Sequence, residues 1–139
     1  MSMSTAIFVN LPVTDLDKSV AFFQAIGFQV NPNFTDKTGA CMVITDNINA
    51  MLLTHAKFAN FTKKAIADAH KTIEVLTCLS FDSKARVNEI VDNAIAAGGS
   101  ESRAAQDEGF MFGRSFDDPD GHTWEVFWMD PGFEKNGAK

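Results

Sequence analysis

The chain has 139 residues, 45% of them apolar, which is enough to bury roughly two-thirds of the unfolded surface and too apolar for a disordered segment. A formal charge of −6 with no dense cluster of Lys and Arg excludes a surface built to track phosphates, so nucleic acid is not an expected partner. No apolar run approaches the ~20 residues of a bilayer span and Met1 to Asn10 lacks the pattern of a secretory leader, so a cytoplasmic protein without a membrane partner is expected.

Ile7 to Val13 alternates as a strand, with Ile7, Val9, Leu11 and Val13 on one face and Phe8 and Asn10 on the other. Thr14 or Asp15 then caps a helix to about Ala25, on which Leu16, Val20, Phe23 and Ile26 recur at helical spacing before Gly27 stops it. Strands follow near Phe28 to Asn31, Cys41 to Thr45 and Ala50 to Thr54, separated by turn-rich Asn31-Pro-Asn33 and Asp46-Asn47. After a connector, Ile73 to Phe81 alternates again, and Asp82 or Ser83 caps a helix with Val87, Ile90, Val91, Ala94 and Ile95 as its apolar stripe. Gly98-Gly99 ends that helix, and strands near Ser102 to Ala105, Phe110 to Phe116 and Thr123 to Met129 complete the series.

The order of elements repeats. The pattern predicts a single α+β domain over 1–139, made of βαβββ modules at 5–54 and 72–130 joined by a connector at 55–70, whose curved mixed sheet surrounds a cavity. With 13 Phe and no Tyr, the interior is expected to rest on phenyl rings, which bring area but no polar handle. Cys41 and Cys78 fall in apolar strands and read as two buried, reduced thiols.

Asp117-Asp-Pro-Asp-Gly-His-Thr-Trp-Glu-Val126 is a hairpin signal, with Pro119, Asp120 and Gly121 at turn positions. Such a hairpin is common, but here it lies near the end of a duplicated βαβββ chain with Glu125 four residues beyond the Gly. Together with Asn10-Leu-Pro-Val-Thr-Asp-Leu-Asp-Lys-Ser-Val-Ala-Phe-Phe23 and Ile26-Gly-Phe28, it resembles the glyoxalase, bleomycin-resistance and extradiol-dioxygenase (vicinal oxygen chelate) superfamily over nearly the whole chain.

Enzymes of that superfamily hold a divalent metal with one ligand from the first and one from the last strand of each half. The resemblance puts those positions on Phe8, Leu52, Leu76 and Glu125, of which only Glu125 has a coordinating group, so no metal or other cofactor is expected. Asn10, Thr54 and Cys78, each two residues further along its strand, are the candidates for a displaced and weaker metal site. Phe112 and Phe127 are candidate cavity aromatics; Trp124 and Trp128 fall on the face opposite Glu125. Arg114 is the expected partner of Glu125, on the register in which Phe116 opposes Thr123.

The ligand-binding set is therefore Phe8, Asn10, Leu52, Leu76, Cys78, Phe112, Arg114 and Phe127, with Glu125 the candidate catalytic residue. An apolar cavity with one carboxylate points to binding of a small aromatic or amphipathic molecule without a metal, in the manner of bleomycin-resistance proteins. The alternative is a lyase, isomerase or dioxygenase of the same superfamily, using an atypical metal site or Glu125 as general base. The resemblance also implies a homodimer.

Overall fold

The computed structural model describes residues 4–136. In it β1 (Ile7–Val13) leads to α1 (Leu16–Ala25), followed by β2 (Gln29–Asn31), β3 (Gly39–Thr45), β4 (Ile48–Thr54) and the single helical turn α2 (His55–Phe58). The chain then divides into two compact units between Thr72 and Ile73. The second unit runs β5 (Thr77–Ser80), α3 (Lys84–Ala96), β6 (Ser100–Glu101), β7 (Gln106–Asp107), β8 (Met111–Asp117), β9 (Thr123–Met129) and α4 (Pro131–Asn136). Positions 1–3 and 137–139 of the expected 1–139 domain lie outside the described residues.

Both sheets have one topology. The first is ordered β1-β4-β3-β2 and the second β5-β9-β8-β6, with β7 also paired to β8. In each, the first and last long strands run parallel and the other pairs antiparallel, which is the α+β class and the duplicated order read from the sequence.

The helices begin and end by the same device. The Asp15 carboxylate accepts the Lys18 N–H at 3.1 Å, and the Ser83 hydroxyl accepts the Arg86 N–H at 3.0 Å, each satisfying a backbone donor that the first turn leaves open. Gly27 and Gly98 then take φ of 103° and 111°, a left-handed conformation costly for any residue with a Cβ, and each chain turns off its helix there.

Two boundaries depart from the expected ones. The strand predicted from Ile73 is formed only over Thr77–Ser80, because Thr77 aligns with Trp124 and residues before Leu76 would lie beyond the start of β9. Ser102 to Ala105 is a loop between β6 and β7, so the expected strand is broken in two along the edge of β8.

Each helix covers one face of its own sheet. Phe22, Phe23 and Ile26 on and after α1 are buried with Leu11, Val13, Ala40, Met42, Ala50 and Leu52. In the second unit Val87, Ile90, Val91 and Ala94 of α3 are buried with Leu79, Phe116, Trp124 and Val126, and the Phe116 and Trp124 rings stack 6.3 Å apart. Ile95, expected in the α3 stripe, is exposed instead, at the edge where the helical phase has turned away from the sheet. Each phenyl, isobutyl or indole group enclosed this way contributes about 1.5–3 kcal/mol or more relative to exposure.

Candidate functional site

The face of each sheet away from its helix carries the candidate chemistry. In the first unit the parallel register pairs Phe8 with Asn49, Asn10 with Met51 and Pro12 with Leu53, so these six share the open face. Phe8 is 51% exposed there, and Asn10 is exposed beside it. Asn49 is buried, donating toward the Ile7 carbonyl and accepting from the Cys41 thiol at 3.9 Å, which ties it to the sheet.

Leu52 does not belong to this set. It aligns with Leu11, lies on the helix-covered face and is fully buried, so the position expected to face Phe8 is a core residue. Thr54 shares that helix-side parity and spends its hydroxyl as the cap of α2, accepting from Lys57 N–H at 3.2 Å. The open-face neighbours of Phe8 and Asn10 on β4 are Asn49 and Met51.

A cavity lies on the open face of the first unit, apart from a more polar hollow lined by Thr14, Asp15, Leu16, Asp17, Asp36 and Lys37. About 310 Å³ in volume, the cavity is lined by Asn10, Leu53, Phe58, Phe61 and Thr62, so the connector expected to be a plain link contributes three of its walls. Sequence reading found Asn10 but missed Phe58 and Phe61; the signal was two phenyl rings three residues apart in a segment otherwise rich in polar residues.

In the second unit Glu125, Phe127 and Cys78 share the open face, as parity predicted: Cys78 aligns with Glu125 and Ser80 with Phe127. Leu76 precedes the strand and is 56% exposed. Cys78 is exposed, not buried as expected, because the face it occupies has no helix of its own unit over it; Cys41 is buried, and both thiols are free.

Arg114 is not the partner of Glu125. Phe116 opposes Trp124 rather than Thr123, so Ser115 faces Glu125 and Arg114 faces Val126 on the helix side. That single-residue difference sends the Arg114 guanidinium to Glu101 at 2.9 Å, Asp92 at 2.8 Å and Asn88 at 2.9 Å, where it links β8, β6 and α3. Phe112 follows the same parity, aligned with Trp128 on the helix side and away from Phe127.

Glu125 is held instead by Arg103, whose Nε and Nη2 both donate to Oε2 at 3.0 and 2.9 Å. Gln106 accepts from Arg103 Nη1 at 3.3 Å and steadies the guanidinium from its other side. Arg103 comes from the loop between β6 and β7, which sequence reading took for a strand, so its reach across to β9 was not legible. Beside this pair, the Cys78 thiol is pushed above its ordinary range by partial loss of solvent and by the Glu125 charge, against which Arg103 pulls in part.

The residues present do not fit the divalent metal that the fold family implies. In the first unit Phe8 offers no donor and Asn10 and Met51 are neutral and weak ligands for such a cation; in the second, one of the two Glu125 oxygens is already engaged by a guanidinium. Among the described residues no group of three or more His, Cys, Asp or Glu side chains is placed to hold a metal ion, and no helix is long and apolar enough to cross a membrane.

Residues 5–45 match the family model for the bleomycin resistance protein-like N-terminal region. Among solved structures, a hypothetical protein from S. aureus is 27% identical with a TM-score of 0.76, over 91% of this chain and 95% of that one. A glyoxalase/bleomycin resistance protein/dioxygenase family enzyme from Burkholderia phytofirmans is 20% identical with a TM-score of 0.73, over 91% of this chain and 99% of that one. The fosfomycin resistance protein FosX from Mesorhizobium loti has the same fold at 12% identity and a TM-score of 0.66, over 97% of this chain and 99% of that one. No curated protein matches the sequence.

Proposed function

We propose that the chain belongs to the glyoxalase, bleomycin-resistance and dioxygenase superfamily, which the match over residues 5–45 and the shared fold support, and that it binds a small aromatic or amphipathic molecule without a metal. The observation that carries this reading is the state of Glu125, the only carboxylate at a superfamily ligand position. It is neutralised by Arg103 and stands among groups, Phe127 and Cys78 on its own sheet, that favour an apolar or weakly polar ligand. Both guanidinium nitrogens meet one carboxylate oxygen, which lowers its availability as a base or metal ligand and fixes Arg103 as a donor on the open face.

The proposal extends to a cytoplasmic location and to a homodimer, the latter supported by the exposed apolar side chains of Phe8, Val75 and Leu76, which a partner copy could shield. Sedimentation equilibrium across a hundredfold concentration range reads the assembly directly, and a monomer throughout would remove that part.

The function itself is tested by elemental analysis of protein purified without a histidine tag, followed by thermal unfolding with nickel, zinc, iron or manganese and with a panel of aromatic and amphipathic compounds. Metal-free protein whose melting temperature rises with one or more compounds is the expected result. Stoichiometric metal that is lost on Glu125→Gln would overturn the metal-independent reading in favour of an enzyme, and no response to any compound would overturn small-molecule binding.

A further inference from the structure

The cavity beside Asn10 and Leu53 has a composition that narrows the ligand further, and the inference rests on the reading just given, that the chain binds a small molecule. Its volume of about 310 Å³ suits one or two fused rings, at the small end of ligand pockets. Leu53 is buried within it, and Phe58 and Phe61 add two ring faces; Phe61 is 70% exposed, an apolar ring left largely in water where a stacked ligand would cover it.

The polar groups of the cavity are both able to donate. The Asn10 amide spends one hydrogen on the Phe8 carbonyl at 3.1 Å and keeps a second. The Thr62 oxygen accepts the Lys64 N–H at 3.1 Å, which leaves its own hydrogen to donate.

Charge points the same way. In a chain of net −6, the segment from His55 to Ala67 carries Lys57, Lys63 and Lys64 and no Asp or Glu. The Lys57 ammonium sits 5.7 Å from the Phe61 ring centroid. Asp36 lies within reach of the Lys57 charge and stays ionised, its Oδ1 accepting the Thr38 N–H and hydroxyl and the Gly39 N–H, so it offsets part of the Lys57 charge.

From ring faces, neutral donors and a basic rim, we infer that the Asn10, Leu53, Phe58, Phe61 and Thr62 cavity binds a small planar aromatic anion, such as an aryl carboxylate. The ring lies against Phe61 and the carboxylate meets Asn10, Thr62 and the Lys57 field.

The test is a titration of the full chain with 2-naphthoate, followed by amide resonances in ¹⁵N-labelled protein, beside its neutral isostere 2-naphthylmethanol. Expected are shifts centred on Asn10, Leu53, Phe58, Phe61 and Thr62, with the alcohol bound several-fold more weakly. Phe61→Ala should weaken naphthoate about tenfold, the loss of one stacked ring, and because Phe61 is exposed the spectrum elsewhere should not change. Lys57→Gln should remove most of the preference for the anion over the alcohol.

Naphthoate shifts centred on other residues, or unchanged affinity in Phe61→Ala, would overturn the assignment of this cavity. If the wider compound panel still yields binders while naphthoate does not, this inference alone fails; if nothing in the panel binds, the underlying function fails with it.

Discussion

Replacement of Asp118 by Ala bears on how the second sheet acquires its register. Asp118 is buried in the turn between β8 and β9, where Oδ1 accepts the N–H groups of Asp120 and His122, each at 3.0 Å, and Oδ2 accepts the indole N–H of Trp124 at 3.2 Å. Trp124 is 1% exposed, so without the carboxylate its N–H has no easy route to water, at a cost of about 1–3 kcal/mol. The two backbone donors lie in a partly buried turn and re-solvate more cheaply, adding about 1 kcal/mol together, which makes the expected loss at neutral pH about 2–4 kcal/mol. Urea unfolding followed by tryptophan fluorescence reads this as a lower midpoint at unchanged slope.

The pH dependence has a definite sign. Burial pushes the Asp118 carboxyl above the unfolded value of 3.8, outweighing the His122 charge and the three donors, which pull it down. The folded protein therefore holds this proton more tightly than the unfolded chain, and wild-type stability from this group falls as pH rises from 3.8 through the folded pKa. The gap between wild type and Asp118→Ala should be widest at and below that starting pH, narrow across the window and level off above it. A gap that widens through the window would mean that the donors dominate and the carboxyl is lowered; no gap at any pH would mean that the three hydrogen bonds do not hold the turn.

Leu52→Ala should cost about 2–5 kcal/mol because the side chain is fully buried under α1, whereas Phe8→Ala on the exposed face should cost under about 1 kcal/mol; the reverse order in urea unfolding would invalidate the face assignment of β1 and β4. Arg114→Met leaves Glu101 without its guanidinium and should lose about 1–2 kcal/mol, less than a deeply buried pair because Glu101 and Asp92 retain access to water; a double-mutant cycle with Glu101→Gln that returns no coupling would refute the link. For Cys78, Glu125→Gln should lower the pH at which the thiol reacts with a disulfide reagent and Arg103→Gln should raise it, since Glu125 opposes the thiolate and Arg103 favours it. Buried Cys41 should stay silent in that assay, and a shift of either variant in the opposite sense would show that the pair does not act on Cys78.

Why the repeat was legible and the side-chain pairing was not follows from the kind of signal each leaves. Asp15 and Ser83 as caps, Gly27 and Gly98 as stops, and the alternation through β1 and β9 are local, so element order could be read from neighbouring residues alone. Within one strand parity also held: Glu125 and Phe127 do share a face, as do Phe8 and Asn10. Between strands it failed, because the relation of β1 to β4 is set by a parallel pairing across some forty residues, for which no turn fixes the count. Leu52 and Phe8 were placed together on family position, and the pairing of Leu11 with Leu52 puts them on opposite faces.

The hairpin shows how little separates the two outcomes. Asp-Pro-Asp-Gly announces a turn, but the same residues close a loop whose flanking pair is Asp117 with Thr123 or one displaced by a single position. In the displaced register Arg114 faces Glu125; in the observed one it faces Val126 and reaches α3. Asp118 favours the observed register, in which its carboxylate takes the Asp120 and His122 N–H groups and the Trp124 indole together while Trp124 lies on the helix side, across from Phe116. The freedom of the Glu125 face from Arg114 follows from that register, and Arg103 donates to Glu125 there. If Asp118→Ala shifted the register rather than only weakening it, Arg114 and Glu125 would come within reach of each other, and a coupling absent from the parent protein would appear between them in a double-mutant cycle built on the Asp118→Ala variant. Retention of the Arg114 and Glu101 coupling in that variant would show instead that core packing of Phe116 on Trp124 holds the register without the turn.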